Sequence, residues 1–145
     1  MAQPRQQDQR RGRENQPPRQ WVDDFDPKWI QKGIDKTGIS FCEKFGKFLK
    51  EQNLSSSQIR NVFGELKRIQ MKGFESEKTA FLLLKPKMSY AVSREGKESL
   101  KELSKVFNKA YDAVDTESDN GTTHFNNLVD FMESVLAYHK AYGGK

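Results

Sequence analysis

The sequence predicts an all-α protein, a compact bundle of about five helices, and three observations favour this fold class. Apolar residues recur at three- and four-residue spacing along several segments, which is the period of an amphipathic helix. No segment alternates with the period of two that a half-buried strand requires, and no long β-branched run occurs. With 145 residues, about a third of them apolar, the chain is most simply one domain.

The expected organisation is a disordered tail over residues 1–20 and a single helical domain over residues 21–145. The tail, MAQPRQQDQRRGRENQPPRQ, offers almost nothing to bury, so it cannot offset the entropy lost on ordering. Its arginines could contact a polyanion, although runs of charge more often only solvate a chain. These arginines are Arg10, Arg11, Arg13 and Arg19.

Within the helical domain, residues 21–37 are predicted to form a docking segment with a short helix, and residues 38–145 the helical core. Aromatic and apolar residues of the docking segment fall at helical spacing: Trp21, Phe25, Trp29 and Ile30. Asp26 precedes Pro27, and proline is favoured at the first position of a helix because its missing N–H costs least there. The segment is expected to pack onto this domain or onto a neighbouring protein.

Two helices are predicted next. The apolar stripe of the first comprises Ile39, Cys42, Phe45 and Leu49. The second runs over about 56–72 and should begin with a capping box formed by Ser55 and Gln58 and end at Gly73. Its inward residues are predicted to be Ile59, Val62, Phe63, Leu66 and Ile69.

A third helix is predicted over about 75–94, with Pro86 in its middle. Its stripe of Phe81, Leu84, Met88, Ala91 and Val92 keeps helical register across the proline. Proline cannot donate a hydrogen bond, so a carbonyl near Leu82 should lack its usual donor, and the segment is either a kinked helix or two abutting helices.

Two further helices complete the bundle. One follows Gly96 and buries Leu100, Leu103, Phe107, Ala110 and Val114. The other is expected to be capped by Thr122 or Thr123. It should bury Phe125, Leu128, Met132, Val135 and Leu136.

The net charge of +5 is distributed unevenly along the chain. Residues 110–139 contain no lysine or arginine but several carboxylates. Basic side chains instead border the apolar stripes of the second and third predicted helices. In the second, Arg60 and Lys67 flank Gly64, which costs roughly 1 kcal/mol against alanine and so suggests close approach of a phosphate or another helix.

Enzymatic activity, a cofactor and a metal site are not expected. The two histidines, His124 and His139, lie in no recognisable ligand motif. Cys42 falls on an apolar stripe and is expected in the core. No apolar run approaches the roughly 20 residues of a membrane span, and no secretory signal is evident, so a cytoplasmic protein is expected.

Three blocks of sequence resemble the small subunit of the type III-A CRISPR interference complex, the Csm complex. They are SSSQIRNVFGELKRIQ, LLLKPKMSYAVSR and FMESVLAYHKAYGGK, in the order found in the family. The resemblance implies a compact five-helix protein of antiviral defence that has no enzymatic activity. In this family, copies stack beside the backbone subunits and line the channel where guide RNA and target RNA pair, with the large subunit as a further partner.

The resemblance assigns an RNA-facing role to basic residues within the matching blocks: Arg60, Lys67, Arg68, Lys85, Lys87 and Arg94. Cationic side chains attract phosphates whatever the base sequence, which suits an effector that accepts any guide. Tyr90 could add a stacking or hydroxyl contact, or could equally be a partly buried core residue. Two alternatives remain: a helical DNA-binding regulator, and an adaptor that binds only proteins.

Overall fold

A computed structural model describes residues 20–145, and within them the chain forms six α-helices and no β-strand. The helices are α1 (Lys28–Gln31), α2 (Lys36–Glu51), α3 (Ser56–Lys72), α4 (Lys78–Glu95), α5 (Glu98–Asp112) and α6 (Gly121–Ala141). Single 3₁₀ turns occupy Trp21–Asp24 and Phe74–Ser76. The all-α prediction is therefore confirmed, with five helices of substantial length. The predicted disordered tail lies outside the described residues, apart from Gln20.

The centre of the fold is the packing of α2 against α6. A Cβ atom added to Gly46 of α2 would lie 2.8 Å from the backbone nitrogen of His139 and 2.9 Å from the carbonyl oxygen of Val135. The two backbones thus touch at a point where no side chain fits. Cys42, one turn before Gly46, is fully buried as predicted.

The segment before α2 packs onto this same core. Trp29 and Ile30 of α1 are buried, and the Phe25 ring meets the rings of Trp29 and Phe131 edge-on at centroid distances of 5.4 Å and 5.3 Å. The side-chain amide of Asn127 on α6 donates to the Ile30 carbonyl at 2.8 Å. Of the two expected placements for the docking segment, the chain adopts the one on its own helices.

The helices α3 and α4 form as an antiparallel pair that follows the predicted signals. The capping box of Ser55 and Gln58 is present, and α3 ends at Gly73 with a φ of 101°. The next helix begins at Lys78, later than expected, because Phe74 is buried in a separate turn and stacks on Phe125 at 5.0 Å. It continues through Pro86 as one helix to Glu95.

The carbonyl that Pro86 deprives of a donor finds one on the neighbouring helix. The Tyr111 hydroxyl of α5 donates to the Leu82 oxygen at 3.1 Å, and its ring stacks on Phe81 with centroids 4.7 Å apart. Burial raises the pKa of Tyr111, so the hydroxyl keeps its proton. Tyr111 therefore supplies the hydrogen-bond donor that Pro86 lacks, and its hydroxyl and ring connect α5 to α4.

Two expectations about individual residues are wrong. Ile39 is not inward but 37% exposed, because the buried side of α2 runs through Phe41 instead. Neither Thr122 nor Thr123 caps the last helix, which begins at Gly121 after Asn120 without a side-chain cap bond. A Cβ on Gly121 would lie 2.5 Å from the Asp115 carbonyl, so the start of α6 is set by backbone contact with the preceding loop.

The end of the chain closes the bundle against the start of α3. The Ser56 backbone N–H donates to the Lys145 carbonyl at 2.8 Å. His139 is fully buried, and its Nε2 lies 2.7 Å from the Leu54 carbonyl. A carbonyl can only accept, so Nε2 carries the proton and donates.

We predict that Gly46→Ala destabilises the protein by about 1–3 kcal/mol, because the added methyl group must separate α2 from α6. Urea unfolding followed by circular dichroism measures this change. An unchanged unfolding midpoint would show that the two backbones do not meet at Gly46.

We predict that Tyr111→Phe costs about 1 kcal/mol, since it removes one hydrogen bond and leaves the Leu82 carbonyl without a protein donor. The stacking on Phe81 is kept, so the change isolates the hydroxyl. The double variant Tyr111→Phe with Pro86→Ala should recover this loss, because alanine restores the helical donor. Additive losses in the double variant would contradict the proposed link between Pro86 and Tyr111.

Candidate nucleic-acid interface

The six basic residues assigned to RNA do not form one continuous ridge. Lys85 lies on the edge of α4 that faces α5, whereas Lys87 and Arg94 lie on the edge that faces α3. At 100° per residue, Arg60 and Lys67 fall on the side of α3 opposite Val62, which faces α4. Arg68 lies outside both groups. The structure therefore brings together Lys87 with Arg94, and Arg60 with Lys67.

Lys85 is held by two residues of α5. Its Nζ atom lies 3.2 Å from the Asp112 carboxylate and 5.4 Å from the centre of the Tyr111 ring. The two charged side chains are 45% and 61% exposed, and such a pair contributes only about 0–1 kcal/mol. An approaching phosphate would have to replace Asp112 as the partner of Lys85.

Arg68 is bound to two carboxylates. It lies 2.7 Å from Glu65, one turn away on α3, and 3.6 Å from Glu77, just before α4. The hydrogen bond from Arg68 lowers the pKa of Glu65, so this carboxylate stays ionised. The charge of Arg68 is thus already balanced within the chain.

Lys87 and Arg94 line a groove of about 220 Å³ between α3 and α4. Its apolar residues are Val62, Leu84, Met88, Ala91 and Leu100, and its polar ones are Gln58, Asn61, Glu65, Lys87, Arg94 and Glu95. Arg94 pairs with Glu95 at 3.1 Å. Lys87 makes no direct ion pair within residues 20–145, although its charge helps to lower the pKa of Glu65 across the groove, so its amine is not held by a carboxylate.

The exposed side of α4 is rich in cations and in apolar residues. Between Thr79 and Arg94 the helix carries three cations and no carboxylate. Tyr90 is 67% exposed, so it lies on the surface and is not the partly buried core residue that the sequence also allowed. Leu82 and Leu83 are also exposed, at 47% and 49%. Sequence reasoning passed over these two leucines, although the register of Phe81 and Leu84 already directs them outward.

The surface around Gly64 on α3 is open. Arg60 is exposed and has no ion pair among the described residues, and Met71 is 86% exposed. Lys67 donates to Gln70 at 3.3 Å and lies 5.9 Å from the centre of the Phe63 ring. A Cβ added to Gly64 would meet nothing within 4 Å, so packing inside this chain does not account for the glycine.

The acidic segment comprises residues 110–139, which contain no lysine or arginine. It spans the end of α5, the loop between α5 and α6, and most of α6. Within the loop, Asp115 accepts from the Glu117 N–H at 3.0 Å, and this bond is the main reason why its pKa is lowered. The Asp115 N–H in turn donates to Nδ1 of His124 at 3.1 Å. Asp112 and Lys85 mark the boundary between this acidic segment and the basic side of α4.

The described part of the chain has neither a cluster of metal ligands nor an activated cysteine. No group of three or more His, Cys, Asp or Glu side chains there could hold a metal ion. Burial raises the pKa of Cys42 to about 12, so the residue remains a thiol rather than a nucleophilic thiolate. Among the same residues, no helix is sufficiently long and apolar to cross a membrane.

Comparison with protein families gives a match that covers the five long helices, α2 to α6. The family model described as Csm2 Type III-A matches residues 36–145. The chain belongs to the Csm2 family. It is accordingly a small subunit of the type III-A Csm effector complex, and the resemblance found in the sequence is confirmed. Comparison with curated proteins and with solved structures yields no match.

The Csm2 match begins at the first residue of α2. It therefore contains α3 and α4 with all six candidate cations. Trp21, Phe25 and Trp29 precede it, although Phe25 and Trp29 are buried in the same core. The aromatic segment is thus a part of this chain's fold that the family match does not include.

We predict that Gly64→Ala raises the stability of the isolated protein by roughly 0.5–1 kcal/mol, because alanine is the better helix former and no atom opposes its methyl group. If the glycine serves close approach of RNA, the same change should weaken RNA binding. Urea unfolding and an RNA-binding titration measure the two effects. A more stable variant with unchanged RNA affinity would exclude Gly64 from the interface.

Proposed function

We propose that this Csm2-family chain is a non-catalytic RNA-binding subunit that lines the channel where guide RNA and target RNA pair. It would hold the duplex through sequence-independent contacts with the sugar–phosphate backbone and bridge neighbouring subunits of the effector during antiviral defence in the cytoplasm. Family membership and one structural observation support this proposal. That observation is the exposed side of α4, which combines Lys87 and Arg94 with an absence of carboxylates between Thr79 and Arg94.

A surface of this kind suits a ligand whose sequence varies. A-form RNA conceals most base edges in a deep, narrow groove, so its recognition depends on shape and on backbone contacts. Lysine and arginine attract phosphates without reading bases, and salt weakens this attraction. The proposed contacts are Arg60, Lys67, Arg68, Lys85, Lys87 and Arg94.

These six residues should contribute unequally. Among residues 20–145, Arg60 makes no ion pair, and Lys87 interacts with Glu65 only at a distance and not in a direct ion pair. Arg68, Lys85 and Arg94 must exchange a carboxylate of this chain for a phosphate. Each exchange replaces one charge-assisted contact by another, so the net gain is smaller. We therefore expect Arg60 and Lys87 to dominate RNA affinity.

The proposed partners are guide RNA, target RNA, the backbone and large subunits, and neighbouring copies of this chain. The basic side of α4 and the acidic loop after α5 give the molecule a charge polarity that suits ordered contacts with neighbours.

Exposed Leu82 and Leu83 favour a second candidate function, an adaptor that binds only proteins. Assembly that survives ribonuclease, by a chain that binds no RNA, would support the adaptor.

We predict that Lys87→Ala and Arg60→Ala each weaken binding of a fully paired RNA duplex, equally for unrelated sequences. Each change should also reduce the slope of log affinity against log salt by about one, since one phosphate contact is lost. Lys44→Ala is the matched control, because Lys44 is likewise exposed and without an ion pair among the described residues. Fluorescence anisotropy over a salt series measures both quantities.

The ion pair of Lys85 allows a prediction of tighter, rather than weaker, RNA binding. Asp112→Asn should strengthen duplex binding, because it frees Lys85 and removes a repelling charge. Unfolding midpoints should change little in all these variants, since exposed substitutions usually stay within about 0.5 kcal/mol. Equal losses for Lys44→Ala and Lys87→Ala, or tighter binding of DNA duplex than of RNA duplex, would contradict the proposal.

A further inference from the structure

A second stripe runs along α4 on the side that faces away from the core. Leu83, Lys87, Tyr90 and Arg94 follow one another at spacings of four, three and four residues, so they lie on one line along the helix. All four are exposed. The stripe alternates apolar or aromatic side chains with cations. Its two cations, Lys87 and Arg94, also line the groove between α3 and α4.

Tyr90 is the most exposed aromatic side chain in residues 20–145, at 67%. The guanidinium carbon of Arg94 lies over the Tyr90 ring, 5.8 Å from its centre. Most other aromatic rings in the described residues pack on one another in the core. Arg94 therefore lies over one face of a ring that is otherwise largely exposed, and a second cation, Lys87, lies one turn earlier.

We propose that an unpaired base of the bound RNA stacks on the face of Tyr90 opposite Arg94, with Lys87 on a neighbouring phosphate. The proposal rests on the RNA-binding function proposed above and specifies which part of the RNA this surface binds, namely an unpaired base. In a duplex the faces of each base are covered by the adjacent bases, so a side chain can stack only on an extruded, bulged or single-stranded nucleotide. Stacking on aromatic side chains is the usual way in which proteins hold such bases.

The charges of the stripe favour RNA over an apolar protein surface. A protein that covered Tyr90 would also cover Lys87 and Arg94, and removing these charges from water is costly unless they are paired. Phosphates on either side of a stacked base supply those pairs. Arginine beside an aromatic ring strengthens the stack through cation–π attraction. Glu95, already paired with Arg94, is the nearest carboxylate along the helix.

The test compares the full chain and its Tyr90 variants on three RNAs: a fully paired duplex, the same duplex with one bulged 2-aminopurine, and a single strand. Tyr90→Leu keeps an apolar side chain but removes the ring, and Tyr90→Phe keeps the ring. Tyr142→Leu is the matched control, since Tyr142 is a partly exposed tyrosine 5.6 Å from the amine of Lys47. Anisotropy gives affinity, and 2-aminopurine fluorescence reports stacking.

Wild type, Tyr90→Phe and Tyr142→Leu should bind the bulged duplex alike and quench its fluorescence. Tyr90→Leu should bind the bulged duplex and the single strand about tenfold more weakly, the usual scale for the loss of one stacking contact. Its affinity for the fully paired duplex should be unchanged.

Three outcomes would overturn the stacking proposal. Equal binding and equal quenching by Tyr90→Leu and wild type would exclude stacking on Tyr90. This result would not affect the proposed phosphate contacts of Lys87 and Arg60. Normal RNA binding by Tyr90→Leu with lost association to the other purified effector subunits would identify a protein contact instead. Failure of the wild-type chain to bind any of the three RNAs would overturn this proposal and the proposed function together.

Discussion

The α2 and α6 backbones touch at Gly46, and the positions of the other helices depend on this contact. It places Phe41 and Phe131 against each other, with Phe25 and Trp29 packed against both rings. It also brings His139 beneath Leu54, and so connects the end of α6 to the beginning of α3. The α2–α6 pair is thus the closest backbone contact of the bundle, and α3, α4 and α5 add buried side chains to the same core.

The outer helices α4 and α5 pack through buried apolar residues and are also joined by polar contacts. Pro86 removes a backbone donor from α4, and the Tyr111 hydroxyl replaces it from α5. This cross-connection places Lys85 beside Asp112 on one edge of α4 and leaves Lys87 on the other edge, facing the groove. Two lysines separated by one proline therefore have different surroundings. Lys85 makes a direct ion pair, whereas Lys87 has only the more distant charge of Glu65 near it.

The helical pattern of the sequence predicted most of the fold because local signals determine it. The capping box at Ser55, the stop at Gly73 and the register of α4 across Pro86 all depend on residues within a few positions. The errors lie where distant contacts decide. Ile39 is exposed because Phe41 meets the aromatic segment, and α6 begins at Gly121 because the preceding loop touches it there.

The candidate interface was predictable only as a set of cations. Helical spacing correctly placed Lys85 and Lys87 on opposite edges of one stripe. It could not show that Asp112, 27 residues away, pairs with Lys85, or that Glu77 reaches Arg68. Such pairs depend on how α4 sits against its neighbours. The exposed ring of Tyr90 also required the fold, because an apolar residue between Met88 and Ala91 suits the core equally well.

The most direct measurement is ultraviolet cross-linking of guide and target RNA to the assembled type III-A effector, followed by mass spectrometry of the cross-linked peptides of this chain. If α4 and the outer side of α3 face the RNA, cross-links should concentrate in peptides from Lys78–Glu95 and Ser56–Lys72. Cross-links confined to α2 or to the acidic segment around α6, with none on α4, would contradict this orientation.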